Sequence, residues 1–231
     1  LIIVDECHRG SADDGSSWHE ILEYFDTAIQ VGMTATPKET KETSNIEYFG
    51  EPVYTYSLKQ GIDDGFLAPY KVIRVNLDID INGFRPYPGM VDIDGKPLED
   101  RLYEQKDFDR ILVVEERTQA VAKRVSDFLK ETDRYAKAII FCEDIPHAER
   151  MRHALVKENS DLIAEEVTYI VQITSGSDDM RYLEYFTDPH ETYPVIAVTS
   201  RLLSTGVNTQ TTKLVVLDRT IGSMTEFKQL V

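Results

Sequence analysis

The 231 residues, 42% of them hydrophobic, are enough to bury the core of one large domain or parts of two. A net charge of −16 excludes a protein whose whole surface embraces nucleic acid. Residues 1–70 carry four basic against thirteen acidic side chains and residues 71–231 carry twenty-one against twenty-eight, so any DNA path is narrow or relies on backbone amides. Cys7 and Cys142 lie far apart and suggest neither a disulfide framework nor a zinc site. No apolar run approaches the ~20 residues of a membrane span and no leader precedes the first strand, so a cytoplasmic protein without membrane contact is expected. A start inside an apolar strand, without a cap or polar lead-in, reads as a cut in a longer chain.

In chain order, "LIIVD" predicts a buried strand. "SWHEILEYF" predicts a helix with Trp18, Ile21, Leu22 and Phe25 at helical spacing, and "AIQVGMTATP" a strand stopped by Pro37. Beyond a Thr- and Lys-rich stretch come "EPVYTYS", a helix over "LKQGIDDGF" and a half-exposed strand over "YKVIRVNLDIDI". The Gly- and Pro-rich segment 82–97, with its turn-like "DIDG", reads as a hairpin or excursion. A long helix follows over "ERTQAVAKRVSDFLKET", with Val121, Val125, Phe128 and Leu129 on one face. Strand "KAIIFC", helix "IPHAERMRHALVKEN", strand "YIVQITS", helix "DDMRYLEYF", strands "PVIAVTS" and "KLVVLD", and a helix over "SMTEFKQLV" complete the pattern. Apolar strands separated by helices point to parallel sheets covered on both faces. The fold class is therefore α/β in two units, the first truncated at its amino end.

Ligands of a parallel sheet sit beyond the carboxyl ends of its strands, where Asp5, Glu6, Thr34, Thr36, Thr199 and Ser200 fall. A strand ending in Asp-Glu suits phosphoryl chemistry. Asp5 can hold Mg²⁺, directly or through its waters, and Glu6 can orient and deprotonate an attacking water. The same two acids also fit a solvated loop start. His8 is either a surface residue or a member of this group. Thr34 and Thr36 are either ordinary β-branched residues before a turn or hydroxyls that report on a nucleotide. "VTSRLLSTGVN" is a plain loop or a phosphate-contacting turn.

Taken in order, "DECH" at 5–8, "TATP" at 34–37, "IIFC" at 139–142, "TSRLLSTGVN" at 199–208 and the terminal "FKQLV" resemble motifs II, III, IV, V and the start of VI of superfamily 2 helicases and translocases. The connecting text, including "DECHRG", "MTATPKET", "NIEYFGEPVYTYSLKQGIDDGFLAPYKVIRV" and "DFDR", resembles the motor (R) subunit of type I restriction enzymes. The resemblance implies two RecA-like lobes. Residues 1–70 would be the carboxyl part of motor lobe 1, with the Walker B and TAT motifs. Residues 71–231 would be motor lobe 2, with its excursion at 82–97, cut before the last motif is complete.

The resemblance also implies roles. Asp5 would sit on Mg²⁺, Glu6 would be the catalytic base and His8 a coupling residue near the γ-phosphate of ATP, the substrate. Thr34 and Thr36 would link hydrolysis to DNA movement. Thr199, with Thr174 and Ser175, would contact the phosphates of one DNA strand, while Gly206, Asn208 and Gln229 would face the nucleotide. Asn208 departs from the Asp usual there, which removes a charge but leaves an amide oxygen. Double-stranded DNA and the modification and specificity subunits are the implied partners, and cleavage belongs to a nuclease domain outside this chain. No G-x-x-x-x-G-K-[ST] occurs in the sequence, so the fragment alone is expected to be inactive. Two rivals remain: another superfamily 2 DNA helicase acting in repair or remodelling, and a catalytically inactive α/β interaction module.

Overall fold

In the computed structural model, which describes residues 1–7, 17–34, 48–174, 180–200 and 209–230, apolar strands pair in parallel within two separate sheets. The chain divides into Leu1–Val72 and Ile73–Val231. The α/β class expected from the alternation is the class adopted. The side chains of Ser17, Trp18, Met180, Thr225 and Gln229 lie outside the description, so the packing expected of Trp18 does too.

In the first unit, β1 (Ile2–Val4) pairs in parallel with β2 (Gln30–Gly32), Ile2 opposite Gln30 and Val4 opposite Gly32. Helix α1 (Ser17–Tyr24) buries Leu22. Gln30 fastens this helix to the sheet: its side-chain amide nitrogen, Nε2, donates to the Leu22 carbonyl at 2.8 Å, and its Oε1 accepts from the Tyr48 hydroxyl at 2.8 Å. Gly32 is required by close approach, because a Cβ there would lie 3.0 Å from both Cys7 Sγ and the Phe49 ring. Helix α2 (Leu58–Asp63) starts from a capping box. Ser57 Oγ accepts from the Gln60 amide, and Gln60 Oε1 accepts from the Ser57 amide at 2.8 Å.

The half-exposed strand expected over 70–81 does not form. Residues 70–77 have no regular structure, and Asp78–Asn82 is a short helix, α3. Alternation makes a strand only where a sheet edge is available, and the apolar side chains of Val72, Ile73 and Val75 stay exposed. Asp78 and Asp80 suit a first helical turn, and Gly83 at φ +73° ends it. Residues 83–103 fold back through antiparallel bridges, Phe84 to Tyr103 and Val91 to Pro97. The "DIDG" turn is closed by Asp92 Oδ1, which accepts from the Asp94 and Lys96 amides. Beneath it lies a small core of Tyr103, Phe108, Leu112 and Val114.

The second unit is built on a four-stranded parallel sheet in the order β4-β5-β3-β6, formed by β3 (Lys137–Cys142), β4 (Ile170–Gln172), β5 (Ile196–Thr199) and β6 (Thr212–Asp218). One face carries α4 (Glu115–Glu131) and α5 (Ile145–Glu158), whose Ala122, Val125, Leu129, Met151 and Leu155 pack on Ala138, Ile140 and Val198. The other face carries α7 (Met180–Thr187) and α8 (Met224–Leu230), with Phe186 and Leu230 on Ile139, Phe141 and Ala197. Each fully buried aliphatic or aromatic side chain here contributes about 1.5–3 kcal/mol. Helix α6 (Ser160–Glu165) was not expected. It follows a turn at Asn159, whose amide donates to Ser126 Oγ at 2.8 Å and to the Leu155 carbonyl at 2.9 Å.

Lys137 opens β3 and is buried, and Nζ donates to the carbonyls of Tyr185, Phe186 and Asp188 at 3.2, 2.8 and 3.3 Å. The first two are carbonyls that the last turn of α7 leaves without helical partners, and Asp188 follows just beyond the helix. Burial lowers the ammonium pKa, yet the three acceptors and the helix dipole keep the site suited to a cation. Lys137→Met removes the donor and should destabilise the second unit by about 1–3 kcal/mol, read as a lower urea midpoint for the fold with α1 signals unchanged.

Candidate functional site

The first candidate lies where β1 and β2 end. Hydrogen bonding continues past both strands: the Met33 amide donates to the Val4 carbonyl at 2.8 Å, and the Cys7 amide to the Met33 carbonyl at 3.1 Å. This register sets Asp5 and Glu6 beside Met33 and Thr34. Asp5 is exposed, and its Oδ1 accepts from the Glu6 amide at 2.8 Å. Glu6 is half-buried at φ +50°, a left-handed conformation that costs a non-glycine residue about 1–2 kcal/mol. Cys7 is buried; burial and then the two carboxylates push its thiol pKa up, so it is no nucleophile. Two adjacent carboxylates are hard oxygen donors. They fit Mg²⁺, which binds through one or two carboxylates and completes its shell with water and phosphate oxygens. Among the described residues no group of three or more acids, histidines or cysteines is placed to hold a metal. His8 and Thr36 lie outside the described residues.

In the second unit, Thr174 follows β4 and Thr199 closes β5, two neighbouring strands. Both are buried, Thr199 fully, and Thr199 Oγ1 has no hydrogen-bond partner among the described residues. Neither side chain presents surface, because β5 is an interior strand covered on both faces. Ser175, Gly206 and Asn208 lie outside the described residues. Gln229 stands in α8 with its side chain outside the description.

Sequence reasoning missed the densest polar cluster, at the carboxyl ends of β3 and β6. These strands are neighbours, yet the helices that follow them, α5 and α8, pack on opposite faces; this is the switch point of the sheet. A cleft of about 300 Å³ opens there, lined by Lys106, Arg117, His147, Asp218, Arg219 and Thr220 among others. Arg117 Nε donates to Asp80 Oδ1 at 2.7 Å, and Nη1 pairs with Asp218 Oδ1 at 2.8 Å and approaches Asp109 Oδ2 at 4.0 Å. Arg150 Nη2 donates to Asp109 Oδ1 at 2.6 Å. His147 Nδ1 accepts from the Glu143 amide, which assigns the proton to Nε2, 3.2 Å from Asp218 Oδ2.

Burial alone would raise the Asp218 pKa. His147 and Arg117 reverse this and hold the carboxyl below its ordinary range. Burial and then Asp218 push the Cys142 thiol far up, leaving it inert. The signal was present in the sequence: "KLVVLD" is an apolar run ending in an acid, the same pattern as "LIIVDE".

The chain is similar to several known proteins. The family model described as "Type III restriction enzyme, res subunit" matches residues 1–39. The EcoAI endonuclease subunit of a type I restriction enzyme from Escherichia coli is 55% identical over 233 residues, covering 100% of this chain. The whole of this chain thus aligns with a part of a type I restriction endonuclease subunit. The EcoKI endonuclease subunit, also from Escherichia coli, is 29% identical over 99% of the chain. A solved fragment assigned to the HsdR subunit of a type I restriction enzyme from Vibrio vulnificus superimposes with a TM-score of 0.78 at 44% identity, covering all of this chain and 39% of that one. The chain spans 29% of the EcoAI subunit and 22% of the EcoKI subunit.

The buried cluster sets a test. Arg117→Met strands carboxylates in the interior and should cost about 3–5 kcal/mol near neutral pH, measured by urea unfolding. In the parent chain the folded pKa of Asp218 is depressed. Its contribution is therefore complete above the ordinary Asp range, near ~4, and is lost as pH falls below it. Without Arg117, burial dominates and the folded pKa rises, so protonation at low pH relieves the variant. The stability gap between the two chains should begin to narrow as pH falls through the variant's raised folded pKa, above the ordinary Asp range near ~4, and narrow further as pH falls through the parent's depressed one.

Proposed function

We propose that this chain is part of the ATP-dependent double-stranded DNA translocase of a type I restriction enzyme, coupling ATP hydrolysis to DNA movement before cleavage by a nuclease domain elsewhere. The observation that carries this reading is the 55% identity to the EcoAI endonuclease subunit along the whole chain. The placing of Asp5 and Glu6 beside Thr34 at two parallel strand ends supports it, because that is where a sheet of this class meets a ligand. Residues 1–70 then form the carboxyl part of motor lobe 1 and residues 71–231 motor lobe 2.

In this reading Asp5 holds Mg²⁺, which when bound neutralises charge on the phosphates of ATP. Glu6, in its left-handed backbone conformation, orients the attacking water and accepts its proton. His8, Thr34 and Thr36 relate the state of the nucleotide to the rest of the motor. Gly206, Asn208 and Gln229 face the nucleotide from the second lobe, while Thr174, Ser175 and Thr199 belong to the DNA track. Because Thr199 is fully buried, it would belong to the strand end that presents the phosphate contacts rather than touch phosphate itself. Double-stranded DNA and the modification and specificity subunits are the partners, in the cytoplasm. No helix among the described residues is long and apolar enough to cross a membrane.

The test is Glu6→Gln in the full-length subunit, assembled with its partner subunits. The amide keeps the shape of the side chain but cannot take a proton. ATP and DNA binding should persist while turnover falls by roughly 10²–10⁴-fold, measured as phosphate release. Near-normal turnover would remove Glu6 from the role of base.

A further inference from the structure

The residue after Asp218 joins two segments to which the motor reading gives different duties. β6 is the edge strand, and β3 separates it from β5. Arg219 leaves the end of β6, and its Nη1 donates to the Ser200 carbonyl at 3.1 Å, at the end of β5. To do so the side chain spans the end of β3, two strand spacings or about 10 Å from β6 to β5, the scale of an extended arginine with its acceptor. The other arm, Nη2, pairs with Glu226 Oε1 on α8 at 2.8 Å. Glu226 is itself fixed, because its Oε2 accepts from the Gly222 amide at 2.7 Å.

The Arg219 side chain is 12% exposed and Glu226 30%, so solvent screens the pair only partly. Ser200 follows Thr199 and leads into the segment with Gly206 and Asn208. Glu226 stands three residues before Gln229, on the same side of α8. The guanidinium is a rigid planar fork, so holding both partners fixes the angle between them; an ammonium, a point donor on a flexible stem, holds one and leaves the other free.

We infer that Arg219 is a positioning residue that makes the DNA-side end of β5 and the nucleotide-side helix α8 move as one body. The inference rests on the motor reading above. Arg219 touches neither substrate. It sets the efficiency with which a change at the nucleotide reaches the DNA track, and Glu226 is its fixed counterpart.

The experiment measures ATP consumed per base pair travelled, with the full-length subunit assembled with its partner subunits on linear duplex DNA. Arg219→Met should raise that ratio by roughly fivefold or more, the scale of a lost coupling free energy, while the KM for ATP stays within about twofold. Arg219→Lys should restore the thermal stability of the Met variant without restoring the ratio. Glu226→Gln keeps the shape of the side chain but loses the ion pair, and should raise the ratio in the same direction; it decides the matter if Arg219→Met does not fold. A purely structural role would slow hydrolysis and movement together and leave the ratio at the parent value, which overturns the inference. If the parent subunit hydrolyses no ATP and moves no DNA, the motor reading falls and this one with it. If the parent moves DNA and all three variants keep its ratio, only the role of Arg219 falls.

Discussion

A guanidinium almost without water organises the second unit. Arg117 sits in the first turn of α4 and meets Asp80 from the preceding segment and Asp218 from the edge strand β6, with Asp109 close by. A lone charge at that depth would cost several kcal/mol, so each partner is obligatory once the others are in place. The consequence is topological. The segment from Asp80 to Asp109 has little regular structure and only a small core of its own, and both of its ends meet the Arg117 guanidinium. Asp109 accepts φ +57° to reach Arg117 and Arg150, a strained backbone sustained by the contacts it makes.

The same local pattern, an apolar strand closed by an acid, has opposite outcomes in the two units. Asp5 is exposed and its carboxylate has an amide for company, which leaves room for a cation. Asp218 is buried, with Arg117 and His147 against it, and is already neutralised. The difference comes from what arrives from far along the chain. Arg117 is 101 residues before Asp218 and His147 is 71 before it, separations that no local motif encodes. An acid at a strand end marks a place where charge must be met, and the partner decides whether that place binds a ligand or fastens the fold.

This explains which parts of the molecule were legible in the sequence. Strands β3, β5 and β6 and helices α4 and α5 were, because periodicity and apolar runs report burial directly and these elements have the deepest cores. The parallel neighbourhood of β1 and β2, at whose ends Asp5, Glu6 and Thr34 stand, followed from the alternation alone. The strand over 70–81 was misread because alternation describes a half-buried surface without saying whether a neighbour exists to pair with. Helix α6 was missed because its break at Asn159 is made by a bond to Ser126, 33 residues away. Arg219 carried no motif at all; its meaning lies in two partners, Ser200 and Glu226, on different elements.

The fate of the basic residues bears on how so acidic a chain would approach DNA. Arg117, Arg150, Arg219, Arg134 and Lys137 are all engaged within the second unit, on Asp80, Asp109, Asp218, Glu226 and Asp161 or on carbonyls of α7. These cations are matched by acids or carbonyls of the same unit and lend little positive field to the outside. Each ion pair takes an acid out with its base, so the net charge of −16 still describes the field a partner meets, while fewer cations are free to grip phosphate. For the proposed track along β4 and β5, the remaining means are backbone amides and hydroxyls at the strand ends, which position phosphate without large counterion release. Such contacts depend on geometry more than on charge. Geometry at the end of β5 is what Arg219 holds, through the Ser200 carbonyl, so the precision of the grip and the link to α8 reside in the same side chain.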